Sequence, residues 1–212
     1  MTDLGIYRDI ATRTGGDIYI GVVGPVRTGK STLIKRFIQN MFLPSIENEY
    51  GRERARDEMP QSASGRTVMT TEPKFVPEEA ATVEIDENTS FRMKMIDCVG
   101  YIVDGAIGHI ENGEPRMVMT PWSEDPLPFE QAAEIGTRKV ITDHSTIALC
   151  VTTDGTIGEI PRESYEPAER RVINELKALN KPFVIVLNST APKDAQTLSL
   201  ARSLEDEYSV PV

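Results

Sequence analysis

Eight consecutive residues, Gly24-Pro25-Val26-Arg27-Thr28-Gly29-Lys30-Ser31, fit the spacing G-x-x-x-x-G-K-[ST] of a phosphate-binding P-loop. The two glycines let the backbone turn so that successive N–H groups point inward as an anion nest. A helix beginning near Lys30 would direct the positive end of its dipole at the same point. Lys30 would reach the β- and γ-phosphates, the Ser31 hydroxyl would ligate Mg²⁺, and Thr32 closes the stretch. A second contact to Mg²⁺ is expected from a carboxylate at the end of another buried strand. Phe91 to Ile96 followed by Asp97-Cys98-Val99-Gly100 meets that need, with Asp97 as the metal ligand and the Gly100 amide free to approach the γ-phosphate.

Such residues work only if strands and helices hold them. Apolar segments of strand length alternate with longer helical patterns, which is the rhythm of an α/β fold. Asp17 to Val23 reads as a buried first strand. Lys30 to Met41 reads as the following helix, with Leu33, Ile34, Phe37, Ile38 and Met41 at helical spacing. Further strands are expected at Thr82 to Ile85, Phe91 to Asp97, Thr146 to Thr152 and Phe183 to Leu187, and helices at Phe129 to Thr142, Tyr165 to Leu179 and Ala195 to Tyr208. Pro44 to Phe75 and Cys98 to Pro128 lack periodicity and read as long irregular stretches, which in a compact domain are usually functional. Ile6 to Thr14 could form a lead-in helix, so residues 1–16 are read as a lead-in and 17–212 as one nucleotide-binding domain. Val210-Pro211-Val212 looks like the start of another strand, which makes the chain look like the N-terminal part of something longer.

Composition narrows the function. The 212 residues carry 23 Lys and Arg against 33 Asp and Glu, a net charge of −10, which excludes a nucleic-acid coat held by counterion release. With 39% hydrophobic residues the chain can build a core, and no apolar run approaches membrane-spanning length. The N-terminus has neither a basic nor an apolar leader segment, so a cytoplasmic protein is expected. Cys98 and Cys150, set among apolar residues with no metal or redox spacing, read as buried thiols. Trp122 reads as a packing anchor, His109 and His144 as isolated, and Asp154 to Glu159 as a solvated turn near the ligand-binding edge of the sheet.

The pairing of GPVRTGKS with a later DCVG resembles the Ras-like, translation-factor-related class of P-loop GTPases. That resemblance implies a mostly parallel central sheet flanked by helices, in Ras-like GTPase-type topology. It also implies a loop threonine that senses γ-phosphate and Mg²⁺, for which Thr70 and Thr71 offer adjacent hydroxyls that spacing does not separate. Two departures stand out. Asn-Lys-x-Asp, which reads guanine, is here Asn188-Ser189-Thr190-Ala191: Asn188 survives, but the lysine and the carboxylate do not. Charge-assisted bonds are worth roughly 1.5–3 kcal/mol each, so losing that bidentate acceptor makes ATP the expected nucleotide. Tyr101 stands where many members carry a water-orienting Gln, so hydrolysis is expected to be slow, with Arg66 and Arg116 as available arginines.

With those departures, the chain resembles the nucleotide-binding domain of a spore-coat morphogenetic ATPase family, stage IV sporulation protein A. The likeness runs over essentially all 212 residues, including IATRTGGDIYIGVVGPVRTGKST, DEMPQSASGRTVMTTEPKFVP, DCVGY, PRMVMTPW, AAEIGTRKVI, HSTIALCVTTDGTIGEI and KPFVIVLNS. It implies ATP binding and hydrolysis with Mg²⁺, coupled to self-assembly of a layer on the mother-cell side of the outer forespore membrane. The implied partners are further copies of the protein, a small amphipathic membrane-anchoring protein and coat proteins. Carried onto this sequence, Gly24 to Thr32 bind phosphate, Asp97 holds Mg²⁺, and Thr70 and Thr71 are sensors. A GTP-dependent switch of ribosome-biogenesis type and a non-hydrolysing nucleotide-binding scaffold are the alternatives.

Overall fold

A computed structural model describes residues 17–46, 49–60, 72–86 and 89–212. The expected lead-in helix at Ile6 to Thr14, together with Arg66, Thr70 and Thr71, lies outside the described residues. The first strand, β1 (Asp17–Val23), runs into the glycine loop, and α1 (Lys30–Phe37) leaves it. Helical winding continues beyond Phe37 as a wider π-type turn, Ile38–Phe42, so Met41 faces solvent instead of completing the apolar stripe.

Five strands form the central sheet. These are β2 (Lys74–Asp86), β3 (Thr89–Asp97), β1, β8 (Ile147–Thr153) and β9 (Phe183–Asn188), side by side in that order. All neighbours are parallel except β2, which pairs antiparallel with β3 at one edge. This is the mostly parallel sheet of Ras-like topology expected from the sequence. At the other edge the Ile185 N–H donates to Pro211 O at 2.9 Å, though the residues read as a starting strand, Val210–Val212, form no regular strand. Register decides where chemistry can occur. Val22 pairs with Asp97, Val23 with Cys150 and Thr153 with Asn188, so β1, β3, β8 and β9 all end on one edge, where open α/β sheets bind ligands.

Helices cover both faces. Strand alternation sends Val22, Met93, Met95 and Val151 toward Ile34 and Ile38 at and just beyond the end of α1. It sends Val23, Ile96, Cys150 and Ile185 toward α3 (Phe129–Lys139), α4 (Arg162–Ala178) and α5 (Ala195–Tyr208). Cys98 and Cys150 are buried free thiols, as their surroundings implied. Among the described residues no helix is long and apolar enough to cross a membrane.

Both stretches read as irregular contain structure. Glu49–Asp57 is a helix, α2, held by the apolar anchors Ala55 and Met59 four residues apart and by Arg54, which pairs with Glu58 at 3.0 Å and Glu78 at 3.1 Å. Its apolar stripe is too narrow to show as periodicity. β2 begins at Lys74, not Thr82, because a register irregularity between Val76 and Ala81 breaks its alternation. Within Cys98 to Pro128 lie two short antiparallel ribbons, β4 (Ile110–Glu111) with β5 (Glu114–Pro115), and β6 (Met117–Thr120) with β7 (Ser123–Pro128). Asn112-Gly113, both left-handed at φ 52° and 84°, forms the first hairpin's turn, and that dipeptide was the available signal.

A buried charge network fixes the end of β8 nearest the glycine loop. Glu169, 1% exposed, accepts from Arg162 at 2.6 and 2.8 Å, from the Tyr208 hydroxyl at 3.1 Å and from the Thr152 hydroxyl. Removing one member of such a pair strands the other charge, at a cost of about 3–5 kcal/mol, whereas an exposed pair is worth about 0–1 kcal/mol. Arg162→Met is therefore expected to lower the urea-unfolding free energy by about 3 kcal/mol or more. Arg170→Met, which breaks the exposed pair with Glu207 at 2.8 Å, should lower it by less than about 1 kcal/mol; equal effects would contradict the assignment.

Candidate functional site

The loop between β1 and α1 is wound by left-handed residues: Gly24 (φ 138°), Arg27 (φ 63°) and Gly29 (φ 91°), the last capping α1. For Arg27 that conformation costs on the order of 1 kcal/mol, the kind of strain held at ligand clamps. No acidic side chain occupies the first turn of α1, and Lys35 and Arg36 lie in its last turn. The helix field at the loop therefore favours an anion. Thr28 is fully buried and its hydroxyl donates to Pro25 O at 3.0 Å, so that side chain braces the loop from inside.

Lys30, 4% exposed, lies within this loop. Its Nζ donates to Pro25 O at 2.6 Å and Gly24 O at 3.4 Å. Burial pushes its pKa down, opposed by Cys98 and Asp97 nearby. Asp97 ends β3 beside it. Desolvation pushes that carboxyl up, while a hydrogen bond from Ser31 and the charge of Lys30 pull it down. Its Oδ1 is buried with no hydrogen-bond partner among the described residues. An orphaned carboxylate oxygen next to a serine hydroxyl suits a hard divalent cation, and the surrounding N–H groups suit its phosphate ligands.

Three tie points assemble the loops. The Val26 N–H donates to Tyr101 O at 2.9 Å, and Pro25 bridges Tyr101 in parallel, continuing the β1–β3 pairing past both strands. Gly100 packs so closely that a Cβ there would lie 2.2 Å from Gly24 O and 2.7 Å from Lys30 Nζ, at φ 94°. Only glycine fits. From β9, Asn188 Nδ2 donates to Thr28 O at 3.0 Å, joining the end of that strand to the glycine loop.

Several expectations change. The Gly100 amide is engaged: it donates to the Thr137 hydroxyl of α3 at 3.0 Å. Tyr101 turns its side chain away from the loop, donating to Glu175 Oε2 at 2.5 Å, with the Arg171 guanidinium 4.0 Å above its ring. Arg116 stacks its guanidinium 4.0 Å over Phe129. Asp154 is half-buried at the head of its turn and bonded within it. It accepts from Thr156 N at 3.0 Å and Thr156 Oγ1 at 2.6 Å, and from Thr197 Oγ1 at 3.3 Å. With Ser189 these contacts hold its carboxyl below its usual range against a desolvation that pushes it up, and they lace the β8 and β9 loops together. Ser189 and Ala191 leave that edge with no carboxylate at the guanine-reading position. Thr137 was missed because it lies on the apolar face of α3 with Phe129, Ala132, Ala133 and Gly136. A hydroxyl at such a position was its signal.

The comparisons agree over the whole length. A family model described as stage IV sporulation protein A, ATPase domain, matches residues 1–212. Proteins called Stage IV sporulation protein A are 58% identical over 212 residues in Bacillus anthracis and 55% identical over 212 residues in Bacillus subtilis (strain 168), each match covering 100% of this chain and 43% of the relative. The protein of that name in Clostridioides difficile (strain 630) is 56% identical over 207 residues, covering 98% of this chain and 42% of the relative. The chain thus spans less than half the length of these curated relatives. It belongs to the stage IV sporulation protein A family and corresponds to that family's ATPase domain.

Proposed function

We propose that this domain binds ATP with Mg²⁺ and hydrolyses it slowly, and that the nucleotide cycle controls self-association of the whole protein into the basement layer of the spore coat. The observation that carries the reading is the buried Lys30 at the head of α1, inside a left-handed glycine loop, with Asp97 beside it. Lys30 Nζ and the loop amides would hold the β- and γ-phosphates, and Ser31 and Asp97 would hold Mg²⁺, with Thr70 or Thr71 as the remaining hydroxyl. Bound Mg²⁺ supplies charge neutralisation on the phosphate oxygens. The chain's own part is positional: Lys30 holds a desolvated cation beside the place where charge develops, and exchanges the Pro25 carbonyl for the phosphate oxygens. Adenine is favoured over guanine because Ala191 supplies no acceptor and the Asp154 carboxylate is already bonded to Thr156 and Thr197.

In the same reading the whole protein acts in the mother-cell cytoplasm, at the surface of the outer forespore membrane, with a small amphipathic anchoring protein and coat proteins as partners. Family membership and the sporulation name of the relatives support this. The segments that polymerise and dock would lie largely in the part of the relatives that this chain does not span.

Phosphate release from ATP should fall on the order of 100-fold in Lys30→Ala and in Asp97→Ala, the scale of losing one preorganised charge-stabilising group. GTP should be turned over far more slowly than ATP; hydrolysis of GTP with no binding of ATP would overturn the assignment. Without nucleotide or metal, Asp97→Asn should raise the thermal midpoint by roughly 3 °C, because it removes a buried, incompletely paired charge. A drop would mean that the Asp97 charge is needed to offset the burial of Lys30.

A further inference from the structure

The amide that a terminal phosphate would need is held by a residue with no other evident task. Gly100 N–H donates to Thr137 Oγ1 at 3.0 Å. Thr137 has no exposed surface, and its buried neighbours on and just past the inner face of α3 are small or apolar, Ala133, Gly136 and Val140. A valine has the same shape, so packing alone does not ask for the hydroxyl. Close to Gly100 in sequence, Cys98 Sγ donates to Val22 O at 3.5 Å, so the loop after β3 is tied both to α3 and to the strand that delivers the phosphate loop.

We propose that Thr137 is a positioning residue that sets discrimination between nucleoside triphosphate and diphosphate, by holding the Gly100 amide until a γ-phosphate displaces it. The proposal rests on reading Gly24–Ser31 as the ATP site. A Cβ on Gly100 would lie 2.7 Å from Lys30 Nζ, so Gly100 borders the group assigned to the γ-phosphate, the phosphate that a diphosphate lacks. A triphosphate gains that amide only by breaking the bond to Thr137, whereas a diphosphate leaves it intact. The exchange taxes ATP alone, by about one hydrogen bond, and releases α3. That helix is tied to α4 through Glu134 and Arg171, paired at 2.5 and 3.0 Å, so the release reaches the far side of the domain.

Equilibrium binding of ADP and of a nonhydrolysable ATP analogue, both with Mg²⁺, to the full-length protein and its Thr137→Val and Thr137→Ser variants tests this. The valine variant should tighten the analogue about five-fold relative to ADP, the worth of one ordinary hydrogen bond. The serine variant, which keeps the hydroxyl, should hold the wild-type ratio. Thr137→Ala, which also lacks the hydroxyl, gives the same reading if the valine variant does not fold. An unchanged analogue-to-ADP ratio in the variants lacking the hydroxyl, or equal weakening of both ligands, would overturn the proposal while leaving the ATP site standing. A wild type that bound neither nucleotide would remove the ATP reading and this proposal with it.

Discussion

A buried ammonium organises one edge of this molecule. Lys30 Nζ is withdrawn from water and faces the backbone carbonyls of Gly24 and Pro25, with the Asp97 carboxyl near it. Desolvating a cation is costly unless compensating groups converge on it. Neighbouring elements meet that demand: β1 ends in the carbonyls, β3 ends in the carboxyl, and Gly100 alone can approach so closely because it lacks a side chain. A site that holds a cation by such means is strongly predisposed to an anion. Such an arrangement lets a chain with net charge −10 offer a locally positive site.

The pocket is stiffened from beyond the loop itself. Val26 is tied to Tyr101, Thr28 to Asn188 and Gly100 to Thr137, so β3, β9 and α3 each hold one point of the site. Tyr101 carries the tie outward, through Glu175 and the Arg171 guanidinium, into the seam between α3 and α4. On the opposite flank, Glu169 and Arg162 clamp the end of β8 from which Asp154 reaches toward the β9 loop. The glycine loop thus has a bonded route to the seam between α3 and α4.

Much of this was legible in the residues. Asp17–Val23 and Ala195–Tyr208 have the bounds their patterns predict, because each carries a clean apolar face and abrupt ends. The left-handed glycine loop and the placement of Asp97 beside Lys30 were legible because the motif spacing sets both at the ends of adjacent strands. What hid was structure made by partners remote in sequence. The helix Glu49–Asp57 depends on Arg54 reaching Glu78, and β2 is interrupted by its own irregular register. Thr137 bonds a residue 37 positions away, from a helix face that reads only as core. Asp154, placed in a solvated turn by composition, is bonded to Thr197, 43 residues on.

The central claim is that Gly24 to Ser31 hold the polyphosphate of ATP with Asp97 at the metal, and the most direct test is a crystal structure of the full-length protein with a nonhydrolysable ATP analogue and Mg²⁺. The account predicts the phosphates inside the glycine loop, Lys30 Nζ moved from the Pro25 carbonyl onto the β- and γ-oxygens, and Mg²⁺ between Ser31 and Asp97. An analogue bound elsewhere, with Lys30 still on its own loop carbonyls, would contradict it.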